Sequence, residues 1–214
     1  MPDSRLQQLQ RSWRASDAAE DEAAYLRQRV RVGELALERL QLAANCGHTG
    51  ARLTVGGAPH ADEPELGRWV YGLRSWGTRG VWPPGSRQVY RLAAWCAAEA
   101  ALGACGLEDP RPRLVVDALE VWASSDRDVA PTTLHRAYTL LAEAEHEAPP
   151  QVRAADRVRL ARALGAMRVA LSAFGSPAPP NASAASAAEQ AALLDAPERV
   201  RGRIAERLID WALG

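Results

Sequence analysis

A reaction or a metal site would start from histidine, thiol or carboxylate side chains, and this chain has four histidines and three cysteines. Cys46-Gly47-His48 puts a thiol and an imidazole side by side. A zinc site needs three or four convergent ligands, and no second pair at ligand spacing accompanies this one. The expectation is a buried Cys46, with His48 as dipole partner at a helix C-terminus. His135 and His146 share a helical face, but their eleven-residue spacing separates them by roughly 16 Å along the axis, too far for one ion. Glu143, Glu145 and Glu147 beside them read as a solvated face. The carboxylate groupings suited to acid–base work are Asp17 with Asp21, Asp62 with Glu63 and Glu65, and Asp126 with Asp128. All fall in polar first turns or loops, where nothing desolvates them as pKa tuning requires. The phosphate-cradling patterns G-x-x-x-x-G-K-[ST] and G-x-G-x-x-G are absent, as is the G-x-S-x-G nucleophile elbow. Every basic residue is arginine, which also excludes an ordinary P-loop. These residues point to no catalysis, no metal, no cofactor and no small-molecule substrate.

Recognition is the chemistry that remains, and tryptophan and arginine are the usual anchors of protein interfaces. Of seven tryptophans, Trp69, Trp76, Trp95, Trp122 and Trp211 fit helical stripes and read as core. Trp82 lies instead in a loop, Val81-Trp82-Pro83-Pro84, where it either folds back onto the core or offers a partner contact. Trp211, in the last turn of the chain, reads further as a docking anchor, since one indole ring buries on the order of 200 Å². Arg111 and Arg113 complete the partner-binding candidates. Arg199, Arg201 and Arg203 cannot all share one helical face, which weakens a phosphate-tracking stripe. With 26 basic residues against 26 acidic ones, no bulk affinity for nucleic acid or an anionic membrane is expected.

The elements that must hold these residues are helices. Apolar side chains recur at helical spacing along nearly the whole chain, and strand alternation is almost absent. The most apolar stretch, Ser86 to Cys105, carries apolar residues on both sides and only Arg91 and Glu99 as charges past its first turn. It reads as a buried central helix with Ser86 as N-cap. An irregular all-α bundle around that helix is the expected fold, with a short helical-repeat array as runner-up. In the N-terminal helices Asp3 caps the first, Ser16 or Asp17 the second, and Gly33 and Gly47 end the second and third; Arg52 and Leu53 belong to one further short turn. Leu66, Trp69, Val70, Leu73 and Trp76 give the next helix, and Gly77 to Gly85 a loop. Later stripes expected to face inward are Leu114, Ala118, Val121 and Trp122; then Leu134, Tyr138 and Leu141; then Leu160, Ala163, Leu164, Met167, Leu171 and Phe174, flanked by Arg153, Arg157 and Arg168. The final inward stripe is Val200, Ile204, Leu208 and Trp211.

Composition shifts divide the chain into a helical hairpin subdomain over 1–56, a main bundle over 65–174, a flexible linker over 175–188 and a docking helix over 189–214. Met1 to Arg14 lacks the apolar core of a signal peptide, and no apolar run reaches the roughly 18 residues of a membrane span. Cys96 and Cys105, about 13.5 Å apart along one helix, cannot pair within it. A cytoplasmic protein with reduced thiols is expected.

Three blocks of residues carry a family resemblance. They are Leu92-Ala93-Ala94-Trp95-Cys96-Ala97-Ala98-Glu99, then Asp109-Pro110-Arg111-Pro112-Arg113, then Ala118 through Trp122-Ala123, with alanine-rich helices following over Ala137 to Ala173. On these, Arg87 to Leu171, roughly two-fifths of the chain, resembles a family of small all-helical immunity proteins of bacterial polymorphic-toxin systems. D-P-R-P-R is the more specific motif, and the histidine-containing end of that family has no match after Phe174. The resemblance implies a non-catalytic protein that occludes a toxin with a complementary surface. Asp21 to Val55 also looks like an N-terminal segment recurring on bacterial proteins and implies no activity. Residue chemistry and resemblance together lead to a protein partner, either a toxin or, in the alternative reading, a component of an assembly that this chain serves as helical scaffold or adaptor.

Overall fold

The computed structural model describes residues 4–73, 86–106, 108–125, 127–147, 154–175 and 180–214. Among them are eleven α-helices and one 3₁₀ turn, and no strand. In chain order the helices are α1 (Ser4–Ser16), α2 (Ala19–Arg31), α3 (Leu37–Asn45), α4 (Thr49–Val55), α5 (Leu66–Gly72), α6 (Ser86–Cys105), α7 (Pro110–Ala123), α8 (Pro131–His146), α9 (Ala154–Gly175), α10 (Asn181–Ala192) and α11 (Pro197–Leu213). The chain is all-α. It divides into two compact units, one of Met1–Glu63 with Ala205–Gly214, the other of Pro64–Ile204.

In the first unit α1 and α2 pack together across a turn in which Asp17 takes a left-handed φ of 52°, a conformation its short polar side chain tolerates. The residue before α2 is Ala18, which offers no side-chain cap. The expected cap does not form: Ser16 Oγ instead accepts from the Ala18 amide at 3.2 Å, one step too early for the helix. Trp13 of α1 stacks on Tyr25 of α2, with ring centroids 5.3 Å apart and planes inclined by 17°, an offset arrangement aromatic pairs favour. Gly33, at φ 78°, follows the end of α2 in the left-handed conformation that glycine adopts without strain. Arg52 and Leu53 belong to more than a turn, since α4 runs through seven residues. Leu26, Leu40, Leu42, Ala43 and Ala51 are buried in this unit, as are Leu208 and Ala212 near the end of α11.

The second unit is organised by alanine. All residues of α6 from Val89 to Ala98 are buried, on every side of the helix, and α7, α9 and α10 pack against it. The one charge in that stretch, Arg91, is 3% exposed. Its Nη1 donates to the Arg127 carbonyl at 3.1 Å and its Nη2 to Asp128 at 3.3 Å, and its guanidinium lies 5.4 Å from the Phe174 ring centroid. Those partners offset the cost of burying the charge. The expected stripe of α9, Leu160 through Phe174, is buried in full; Arg157 is exposed and Arg168 half-buried, while Arg153 lies outside the described residues.

The expected flexible linker is corrected over most of its length. Residues 181–188 belong to α10, as do residues 189–192, assigned above to the docking segment. Ala184, Ala185, Ala187, Ala188 and Ala191 are buried on that helix, and α10 packs on α5, α6 and α9. Alanine has the highest helix propensity of all residues, and its small side chain lets a helix lie close to several neighbours. Low complexity here reflects tight packing. The contact with α5 needs the same economy. A Cβ added at Gly67 would meet the far end of the Glu189 side chain, so the glycine lets that exposed carboxylate lie against the start of α5.

Candidate functional site

Residues 109–123 combine the D-P-R-P-R motif with a helix that exposes two large apolar side chains, Leu114 and Val121. Asp109 is the N-cap of α7, with Oδ1 accepting from the Arg111 amide at 2.8 Å, and Pro110 takes the first helical position, where its missing N–H costs nothing. The Arg111 guanidinium folds back on the same carboxylate, Nε donating at 3.0 and 3.1 Å and Nη2 at 2.6 Å, while its Nη1 donates to Glu147 at 2.7 Å. These side-chain hydrogen bonds from Arg111 hold the Asp109 carboxyl below its usual range, and the two acids push the Arg111 guanidinium up. Arg111 therefore clips the start of α7 to the end of α8. Arg113 is different: its side chain is half exposed, and the acid facing it, Asp117, is 3.9 Å away.

The inward stripe of α7 is not the expected one. Pro112, Val115, Val116, Leu119 and Ala123 are buried. Leu114 is 57% exposed and Val121 67% exposed, with Ala118 and Trp122 half-buried between the two faces. Both stripes are apolar and both keep helical spacing, so periodicity alone did not choose between them. Pro112, Val116 and Leu119 turn inward together, which rotates Leu114 and Val121 into solvent. Trp122 keeps one edge on Phe174, at 6.1 Å between centroids. The outcome is an apolar strip on the surface, beside Arg113 and Asp117.

The other candidates fall as follows. Trp82 and Trp76 lie outside the described residues. Trp211 is half-buried within the first unit, where the Arg39 guanidinium lies 4.4 Å above its ring and Arg29 Nη1 donates to the Leu213 carbonyl at 2.6 Å. Its ring is thus engaged inside this chain. Two expectations for the Cys-Gly-His step are corrected. Cys46 is only half-buried, and His48 does not cap the end of α3 but the start of α4, Nδ1 accepting from the Ala51 amide at 3.1 Å. With Nδ1 an acceptor, the ring proton sits on Nε2, which faces Glu22 at 3.5 Å. Helix α4 begins at Thr49, directly after His48, which leaves the imidazole in its cap position. His135 and His146 are exposed. Glu145 and Glu147 are exposed as expected, but each has an arginine partner, Arg168 at 2.6 Å and Arg111 at 2.7 Å. Among the described residues no three histidine, cysteine or acidic side chains gather as a metal site would require, and no helix is long and apolar enough to cross a membrane.

One arrangement escaped the sequence. Arg5 of α1 and Arg27 and Arg31 of α2 line a cleft of about 290 Å³ with Leu9, Ala24 and Gln28. The basic end of α2 reads in sequence as a complement to its dipole. Its signal is that Arg27 and Arg31 are four apart, on one face, opposite a helix that has no acid between Ser4 and Ser16.

Set against family models, curated proteins and solved structures, the chain matches none of them.

Proposed function

We propose that this protein acts by binding another protein, without catalysing a reaction, and that the partner is a bacterial toxin which it neutralises by covering a functional surface. The observation that supports this reading is the outward strip of α7, where Leu114 and Val121 stand in solvent beside Arg113. Exposed apolar side chains seven positions apart on a rigid helix suit a groove or a second helix on a partner, as helix-in-groove recognition requires. Arg113 next to them supplies a planar donor for an acidic side chain at the rim. The segment from Arg87 to Leu171 that resembles immunity proteins contains this helix whole, which favours a toxin over an assembly component. In the adaptor reading the same face would hold a structural subunit.

The test is to co-express the chain with the product of the gene immediately upstream and to titrate one against the other. A 1:1 complex that abolishes the toxicity of the upstream product, and that Leu114→Glu with Val121→Glu disrupts, is the expected result. A harmless upstream product, or a toxic one that does not bind, would count against the toxin reading.

A further inference from the structure

The His48 imidazole is engaged at both nitrogens. Its Nδ1 accepts from the Ala51 amide at 3.1 Å, which caps α4, and its Nε2 faces Glu22 Oε1 on α2 at 3.5 Å. Both side chains are largely withdrawn from solvent, at 20% and 16% exposure. Glu22 packs against Gly50 near the start of α4, where the missing Cβ lets the carboxylate lie. The usual helix N-caps, serine, threonine, aspartate and asparagine, keep the same charge between about pH 5 and 8, whereas histidine titrates in that range. A protonated imidazole donates from both nitrogens and has no acceptor left, so the cap and the ring charge exclude each other. The charged groups nearby are Glu22 from α2 and, one turn along α4, Arg52, which pairs with Asp62 at 3.8 Å. Helix α3 ends just before the ring at the Cys46 thiol.

We propose that His48 is a pH-operated cap: protonation of its ring releases the Ala51 amide and loosens the first turn of α4, while Nε2 stays on Glu22 and keeps α4 tied to α2. In the neutral ring Glu22 takes the side with the proton, which leaves Nδ1 free to accept. In the cation Nδ1–H points at the Ala51 N–H, donor against donor, so the turn opens or the ring swings away. Either movement leaves an N–H of the first turn to water. The attraction between Nε2–H and Glu22 gains a full charge at the same moment. Thr54 is a second tie that protonation does not touch, its Oγ1 donating to the Ala23 carbonyl of α2 at 3.2 Å. The change is therefore confined to one short helix, with α2 and α4 still packed together. This device is independent of the α7 surface, and either can fail without the other.

Amide hydrogen exchange read by NMR on the full chain at about pH 7.5 and about pH 5 tests it, with the His48 ring protons reporting the charge. Protection at Ala51, corrected for the intrinsic effect of pH on exchange, should fall about fivefold on acidification, the loss of one capping hydrogen bond. The Ala51 amide shift should move with the same midpoint as the His48 ring, and protection in α9 should hold. His48→Asn keeps a capping oxygen that does not titrate, so its Ala51 protection should be equal at the two pH values. Circular dichroism reports folding, and if His48→Asn unfolds, the coincidence of the two midpoints in the parent carries the test. Unchanged Ala51 protection, separate midpoints, an equal fall in His48→Asn, or a parallel fall in α9 would each overturn the assignment.

Discussion

Truncating two leucines five positions apart on α7 should have very different consequences. Leu119 has no exposed surface, so Leu119→Ala removes buried methyl and methylene groups and leaves a cavity, at a cost of about 2–5 kcal/mol. Leu114 is 57% exposed. Full burial of a leucine side chain contributes about 1.5–3 kcal/mol, so less than half of that is at stake, and alanine's better helix propensity returns a little of it. Leu114→Ala should therefore cost less than about 1 kcal/mol. Val121, 67% exposed, should go further the same way: valine to alanine gains helix propensity while losing little burial, leaving stability within about 0.5 kcal/mol of the parent. Urea unfolding followed by circular dichroism at 222 nm gives each difference from the midpoint and slope. If Leu114→Ala and Val121→Ala destabilise as much as Leu119→Ala, the face with Leu114, Ala118, Val121 and Trp122 is the buried one. The surface strip would then not exist, and the protein-binding reading would lose its support.

Three further outcomes follow from particular contacts. Because Arg111 holds the Asp109 carboxyl below its unfolded value, that ionised group stabilises the fold above the unfolded pKa, and the contribution disappears as pH falls through the lowered folded one. Asp109→Asn, which keeps a capping oxygen, should be less stable than the parent by about 1 kcal/mol near neutral pH; in acid unfolding series the gap should close below the usual carboxylate range, and a gap constant with pH would be inconsistent with the pairing. Gly67→Ala brings a methyl group onto the exposed far end of the Glu189 side chain, which can swing aside, so it should change stability by less than about 1 kcal/mol; a loss of several kcal/mol would show that the carboxylate is held in place. Amide hydrogen exchange over residues 184–191 should be slow, as in a packed helix, whereas exchange at the rate of an open chain would restore the flexible linker.

The sequence made the all-α class legible because stripes such as Leu160 to Phe174 and Val200 to Leu208 leave only one sensible face to bury. It was less legible where two faces compete. On α7 the choice between Leu114 and Leu119 rests on what α6, α8 and α9 present to it, and no window of sequence contains that. The run Asn181 to Ala192 hid for the opposite reason: its alanines carry too little hydrophobicity to mark a stripe, and their value lies in how close they let neighbours approach. The ion pair between Arg111 and Glu147, and the arginine-lined cleft, join residues from different helices, so their chemistry appears only once the hairpins are closed. His48 was misplaced by a single turn, since one residue serves as the end of one helix or the start of the next.

The central claim, that an apolar strip on α7 contacts another protein, is tested most directly by replacing Val121 with the photocrosslinking residue benzoylphenylalanine and irradiating cells of the native host at native expression. The account predicts one dominant crosslinked product, absent when Leu114→Glu is added and absent when the crosslinker is moved to Glu206 on α11, an exposed position. No crosslinked product at residue 121, or one that persists unchanged with Leu114→Glu, would contradict it.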